Sequence, residues 1–357
     1  MVKPPTTPTF WRNKRVFLTG HTGFKGSWLA LWLAQLGAKV TGFALPPATT
    51  PSLFEAAGIG QVLDSIIGDI RDTDALRQAL LRSKPEIILH MAAQALVSEG
   101  YRDPVGTYAT NVMGTINLLE QARHLSELRV MVIVTTDKCY ENLETERAYT
   151  EADALGGHDP YSSSKACAEI VTASWRRAFF LPVGQVAIAT ARAGNVIGGG
   201  DWAPHRLVPD LVRAFAAGET AKLRNAHAVR PWQHVLEPLA GYLTLAEQLW
   251  DNPKLASAWN FGPELQDCVS VLELTQRLSA LWPGGGRYST EPSPLPHEAG
   301  LLRLDASRAH QLLNWRPRWR LDEALRQTVA WHLAWLSGSS MSEVCRQQID
   351  TYCGTPA

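Results

Sequence analysis

Short runs of consecutive apolar residues punctuate the first half of the chain, and between them lie longer stretches whose apolar residues recur every three to four positions. The runs at 14–19, 39–45, 65–67, 87–90, 130–134 and 185–191 predict strands, and the periodic stretches at 27–36, 74–82, 104–126 and 161–180 predict helices. Strands that alternate with helices predict a parallel sheet with helices over both faces, because each parallel connection must cross the sheet. Val130-Met131-Val132-Ile133-Val134 is apolar at every position, the mark of a strand buried on both sides. From Arg192 the alternation fades into helices expected at 208–217 and 238–250, a strand at 259–261 and irregular chain at 282–296. The expected division is a sheet domain over 1–191, to which 231–262 returns, and a smaller substrate-binding domain from 192–230 and 263–357.

The turn between the first strand and first helix reads Gly20-His21-Thr22-Gly23-Phe24-Lys25-Gly26. Glycines there permit a tight turn and the close approach of a pyrophosphate, whose charge meets the helix N-terminus. Together with the strand pattern, this predicts an α/β fold of the Rossmann type, a doubly wound parallel sheet with a smaller, mainly C-terminal domain. The acidic residue that would bind an adenosine ribose after the second strand is missing, since that strand ends Phe43-Ala44-Leu45-Pro46-Pro47, so charge alone does not separate NAD from NADP. Asp69 stands where a carboxylate would accept from an adenine amino group, or equally where it would cap a helix. The small residues Ala92 and Ala93 would let a cofactor lie against the backbone.

The buried strand at 130–134 ends in Thr135-Thr136-Asp137-Lys138, at the carboxyl edge where doubly wound sheets bind ligands. A polar strand exit with a surface Asp/Lys pair would read the same. Tyr161 and Lys165 follow at a spacing of four, which puts phenol and ammonium on one helix face and lets the charge favour the phenolate. That spacing is common by chance; after a glycine turn and a Thr-Thr-Asp strand end it points to a tyrosine base.

Composition narrows the classes of partner. Lys+Arg and Asp+Glu each number 34 in 357 residues, so no global charge favours nucleic acid or an anionic membrane. The five cysteines form no CxxC pair and read as reduced thiols of a cytoplasmic protein, and no metal-ligand spacing is present. No apolar run approaches the ~18 residues that span a bilayer. Most of the 13 tryptophans recur at helical spacing and are expected to pack. His21, His90 and His158 are expected to be structural.

The GxxGxxG turn and the YxxxK pair resemble the extended short-chain dehydrogenase/reductase superfamily. Within it, GHTGFKGSW at 20–28, TDKCYEN at 136–142, HDPYSSSKACAE at 158–169, RAGNVIGGGDW at 192–202, RPWQHV at 230–235 and NFGP at 260–263 resemble the CDP-glucose 4,6-dehydratase family. The resemblance implies NAD as cofactor, CDP-glucose as substrate, and an intramolecular redox dehydration to a 4-keto-6-deoxy sugar. It implies that Tyr161 is the base at the 4-hydroxyl, that Thr136 binds the 4-oxygen, and that Lys165 holds the nicotinamide ribose. Lys138 would take the C5 proton and Asp137 would protonate the departing 6-hydroxyl. The cofactor would be held by Gly20, Thr22, Gly23, Phe24 and Gly26, by Asp69, Ile70, Ala92, Ala93 and Gln94, and by Asn111, Thr135, Tyr161 and Lys165. The nucleotide sugar would meet Gln94, Asn195, Arg206, Leu207, Val208, Arg230 and His234. Ala95, Ser98 and Gly100 depart from the family pattern at the edge of the sugar pocket.

Three rivals stay open. A nucleotide-sugar 4-epimerase needs Thr136, Tyr161 and Lys165 but has no use for Asp137-Lys138. A 4,6-dehydratase of a UDP, dTDP or GDP sugar would share the machinery, and a non-catalytic NAD(P)-binding regulator would share the fold. In this superfamily the helices expected at 104–126 and 161–180 pair across a two-fold axis, which implies a homodimer or homotetramer.

Overall fold

The computed structural model describes residues 6–181, 186–290 and 300–354. Six strands come first: β1 (Arg15–Thr19), β2 (Lys39–Ala44), β3 (Asp64–Ile67), β4 (Ile87–His90), β5 (Val130–Val134) and β6 (Ala187–Ala193). β7 (Asn195–Ile197), β8 (Thr220–Leu223), β9 (Val229–His234), β10 (Ala258–Phe261), β11 (Cys268–Ser270) and β12 (Arg287–Thr290) follow. Seven of them form one sheet in the order β10-β6-β5-β4-β1-β2-β3, every neighbouring pair parallel. The chain reverses direction across the sheet between β1 and β4, and the crevice at that switch is where such sheets bind ligands.

The strands sit inside because both faces are apolar. Along β5, Val130, Val132 and Val134 point into one core with Trp28, Trp32 and Leu243, while Met131 and Ile133 point into the opposite core with Phe17, Leu80 and Leu119. Trp11, Trp28, Trp32, Trp259 and Trp331 are all fully buried, so the tryptophans are packing residues as their spacing predicted.

Local signals set the helix ends. Helix Phe24–Gln35 starts at Gly23 and stops before Gly37, whose φ of 80° favours glycine. Asp72 caps helix Thr73–Ser83, and Asp159 caps helix Pro160–Trp175 by accepting from the Ser162 amide at 3.0 Å. The stretches expected as single helices at 104–126 and 161–180 each contain a wider turn, at Ala109–Met113 and Arg176–Phe180. Helix Val97–Arg102 was not expected; its six residues are too few to show a period.

The smaller unit is built on a three-stranded sheet, β11-β9-β7, and a pair, β12-β8, over a core of Val208, Leu211, Phe215, Trp232, Leu274 and Leu325. β12 lies within 282–296, where the sequence predicted irregular chain; 291–296 fall outside the described residues, as does Gln185 of the expected sixth strand. Polar residues and Pro231 hid β9, β11 and β12 from a reading by period. Two expected boundaries also move. Residues 231–234 pair within the small sheet, so the return to the large sheet begins after β9. Helix Met341–Cys353, assigned by sequence to the smaller domain, buries Met341, Cys345, Ile349 and Tyr352 in the large core, with Tyr352 edge-on to Trp32 at 5.7 Å. Among the described residues no helix is long and apolar enough to cross a membrane, and no group of His, Cys, Asp or Glu is placed to hold a metal.

Candidate active site

A cleft of about 750 Å³ lies at the carboxyl ends of the large sheet, roofed by the smaller unit. Its floor is the glycine turn. Gly20 has φ 79°, and a Cβ there would meet the Ala92 nitrogen at 2.7 Å; a Cβ on Gly26 would sit 2.0 Å from the Gly20 carbonyl. Both positions therefore need glycine for the protein's own packing, while Gly23, at the helix N-terminus, has nothing within 3.4 Å of a Cβ and leaves an open cradle. Bare backbone, a helix N-terminus and the small residues Ala92 and Ala93 on the cleft wall fit a dinucleotide pyrophosphate. Thr22 lines the cleft with its hydroxyl donated to Leu45 O at 2.8 Å, and Phe24, Asp69 and Ile70 line it too. Asp69 caps no helix; it is held by Arg71 at 2.9 Å, which keeps its carboxyl below the ordinary range.

The reacting groups stand on two elements. β5 delivers Thr135 and Thr136, then turns tightly through Asp137–Cys139, and helix Pro160–Trp175 brings Tyr161 and Lys165 against that turn. Thr136, Asp137, Lys138, Tyr161 and Lys165 all line the cleft. The Thr136 hydroxyl donates to Asp137 Oδ1 at 3.0 Å and accepts from the Lys138 amide at 3.4 Å. Asp137 is 1 % exposed, and its Oδ2 has no hydrogen-bond partner among the described residues. Burial raises the Tyr161 phenol to about 12, against the pull of the Thr136 hydroxyl and the Arg206 charge. Lys165 donates to Val134 O at 3.3 Å, and burial lowers its ammonium to about 8, opposed by Glu169. The Arg206 charge thus reaches the phenol from the roof, while the Lys165 ammonium is bonded to the strand end.

Of the expected contacts, Asn111, Gln94 and His234 do not line the cleft, and Thr135 lines it with its hydroxyl engaged elsewhere. Thr135 borders the cleft, but its hydroxyl donates to Glu169 Oε1 at 2.5 Å, within a buried pair of Glu169 with Arg192 at 2.8 Å. Asn111 lies behind the wall, its Oδ1 accepting from the Gln94 amide at 2.9 Å and its Nδ2 donating to Ser164 at 2.8 Å, so it positions the loop instead of touching a ligand. The Gln94 side chain is spent on Thr107 at 2.9 Å and on the Leu96 amide at 2.5 Å. His234 is wholly buried between Trp28 and Trp319, and burial lowers its imidazole to about 3. His21 and His90 are likewise buried and bonded to Ser65 and Thr19, and His158 pairs with Glu141 at 2.8 Å.

The roof supplies the remaining expected residues. Asn195, Arg206, Leu207, Val208 and Arg230 line the cleft, with Asn195 Oδ1 buried and unpartnered among the described residues. Arg206 pairs with Asp201 at 3.0 Å, and Arg230, 4 % exposed, donates to Val229 O at 3.0 Å. Sequence reasoning missed Lys222 and Arg224 beside them, and Lys25 on the floor. Lys25 donates to the Tyr242 phenol at 3.0 Å; burial, then the Lys165 and Arg206 charges, push its ammonium down to about 7, while Asp137 pulls it up. The available signal was an ammonium set among the glycines of the turn.

Fold and site together define a short-chain dehydrogenase/reductase of the extended type. The family model described as GDP-mannose 4,6 dehydratase matches residues 17–328, and the chain belongs to that family. The chain is 47 % identical over 348 residues to a CDP-glucose 4,6-dehydratase of Salmonella typhimurium, covering 96 % of this chain and 97 % of that protein. It is 26 % identical over 285 residues to a dTDP-glucose 4,6-dehydratase of Haemophilus influenzae, covering 74 % and 81 % of the two chains. Among solved structures, the fold is similar to a dTDP-glucose 4,6-dehydratase of Streptomyces venezuelae with NAD bound, at a TM-score of 0.78 and 23 % identity over 92 % of this chain and 99 % of that one. It is also similar to a UDP-glucose 4-epimerase of Thermotoga maritima, at a TM-score of 0.78 and 21 % identity over 90 % and 99 %.

Proposed function

We propose that this chain is an NAD-dependent hydro-lyase that converts CDP-glucose to CDP-4-dehydro-6-deoxyglucose. The observation that carries the reading is the placement of Asp137 and Lys138 in one cleft with Tyr161 and the glycine turn. An epimerase has work for the tyrosine but none for a buried carboxylate with an unused oxygen, so the pair favours dehydration over the epimerase that shares the fold. The similarity to the Salmonella dehydratase supports cytosine as the base.

When bound, NAD supplies the hydride acceptor for C4, the donor to C6, and a positive charge that favours the Tyr161 phenolate. Tyr161 takes the 4-hydroxyl proton, with Thr136 and Arg206 lowering the phenol's hold on it. The resulting ketone acidifies C5, whose proton Lys138 removes, while Asp137 protonates the leaving 6-hydroxyl. Arg230 and Arg206 meet the diphosphate as charge-assisted donors. Two copies pair through the helices on which Val105, Met113 and Ile170 lie exposed. Sedimentation of a Val105→Glu variant as a monomer would support that pairing, and an unchanged dimer would remove it.

Incubation with NAD and CDP-, dTDP-, UDP- or GDP-glucose, followed by mass spectrometry, tests the activity. Loss of one water from CDP-glucose, with no net NADH, is expected; an isomer of unchanged mass would return the reading to an epimerase.

A further inference from the structure

Behind the cleft lies an ion pair that the proposed chemistry does not use. Glu169 and Arg192 are each 3 % exposed, and neither lines the cleft. The Glu169 carboxylate accepts four hydrogen bonds: from Arg192 Nε at 2.9 Å and the Thr135 hydroxyl at 2.5 Å on one oxygen, and from Arg192 Nη2 at 2.8 Å and the Thr190 hydroxyl at 2.6 Å on the other. The remaining guanidinium nitrogen, Nη1, donates to the Tyr140 phenol at 2.8 Å. An ion pair so deep is a weak source of stability, because taking two charges out of water costs about what their attraction returns. What a planar guanidinium gripping both oxygens of a carboxylate does supply is geometry.

The geometry it fixes is that of the reacting groups. Thr135 comes immediately before Thr136-Asp137-Lys138, and Tyr140 comes two residues after; Glu169 holds the first and Arg192 the second. The turn between them is held loosely from within, since Thr136 Oγ1 to the Lys138 amide and Thr136 O to the Cys139 amide are both 3.4 Å, longer than ordinary hydrogen bonds. Its position is therefore set from its two ends. Tyr161, Lys165 and Glu169 follow at spacings of four on helix Pro160–Trp175, so the same carboxylate also holds the helix. Lys165 reaches Val134 O at 3.3 Å just as Glu169 reaches the next residue along, Thr135.

We propose that Glu169 and Arg192 are positioning residues whose two ties serve different steps of the reaction; this rests on the dehydratase reading above. The tie to Thr135 sets Thr136 against Tyr161 for oxidation at C4, and the tie to Tyr140 sets Asp137 and Lys138 for loss of water. Tyr140 is itself anchored on its far side. Its hydroxyl donates to Asn260 Oδ1 at 2.6 Å, its ring stacks on Tyr149 at 5.2 Å, and Asn260 Nδ2 donates to Tyr149 O at 3.0 Å and Asp305 O at 2.9 Å. The pair thus joins the helix of the tyrosine base to the strand end that carries the acid and the amine.

The test follows bound NADH by absorbance and product by mass spectrometry in single turnovers of CDP-glucose at saturating NAD, with calorimetry of CDP binding. Thr135→Val should slow NADH formation by about ten- to a hundredfold, with no accumulation, as a displacement of the reacting groups would. Tyr140→Phe should form NADH at the wild-type rate but lose water about ten- to a hundredfold more slowly, so that bound NADH accumulates. Arg192→Lys keeps the charge but cannot grip Glu169 and Tyr140 together, and should show both defects. CDP affinity should be unchanged in all three. If Thr135→Val and Tyr140→Phe slow the same step, or if Arg192→Lys turns over as the wild type does, the pair is a structural charge pair and the proposal is overturned; weaker CDP binding at unchanged rates overturns it too. A wild-type protein that removes no water from CDP-glucose overturns the dehydratase reading and the division of ties together, whereas variants that match an active wild type overturn the division alone. Should Arg192→Lys lack the wild-type circular dichroism, Thr135→Val and Tyr140→Phe, which each delete one hydroxyl, decide by the same criteria.

Discussion

The floor and the roof of the cleft are made of different materials. The floor is backbone: strand ends, a glycine turn in which a Cβ on Gly26 would lie 2.0 Å from a carbonyl, and a helix N-terminus. The roof is charged side chain, with Arg206, Arg224 and Arg230 carried on short strands and a loop. A site built from backbone fixes where a ligand lies and tolerates almost no substitution, whereas a site built from cations fixes which ligand is held and degrades by degrees. Floor substitutions should therefore act on the rate of chemistry, and roof substitutions on affinity.

The largest effect should come from Tyr161→Phe, which removes the base and should lower kcat by about 10³- to 10⁴-fold with no NADH formed. Measurable NADH in that variant would mean that another group takes the 4-hydroxyl proton. Next, Lys138→Ala should spare C4 oxidation but slow loss of water by about 10²- to 10³-fold, so that bound NADH accumulates; normal turnover would remove Lys138 as the C5 base. On the roof, Arg230→Ala should raise KM by about 10- to 100-fold, the worth of a charge-assisted hydrogen bond, with little change in kcat. A fall in kcat at constant KM would erase the division between floor and roof. The smallest contrast is in pH. Lys165 is held down to about 8, so it carries its charge below that pH and loses it above. Calorimetry should find NAD affinity falling by about twofold between pH 7 and pH 8, while CDP, held by arginines that stay charged, binds evenly across the range. A flat NAD profile would show that the Lys165 charge is not what holds the cofactor.

The same contrast explains what the sequence made legible. β1, β5 and the helices beside them follow from apolar period and glycine placement, because burial on two faces leaves a pattern in every residue, as in Val130–Val134. The reacting groups were found by their distance from a strand end and by the resemblance. Asn111, Gln94 and His234 were misplaced because a side chain's direction depends on partners far off in the chain: Ser164 for Asn111, Thr107 for Gln94, and Trp319 for His234. The cations Lys222 and Arg224 lie on and just after β8, a strand of four residues too short to show which of its faces meets the cleft. Lys25 was visible as an anomaly in a glycine turn, but only the fold brings Tyr242 and Asp137 to it.

Helix Met341–Cys353 rests on helix Phe24–Gln35, with Tyr352 against Trp32 and Gln35 bonded to Asp350 at 2.7 Å. The first helix of the cofactor floor is thus covered by residues made more than three hundred positions later. While the chain is being synthesised, Trp32 has no partner from that tail, and the floor cannot reach its final packing until the last helix has left the ribosome. The half of the molecule that is read first is among the last to be finished.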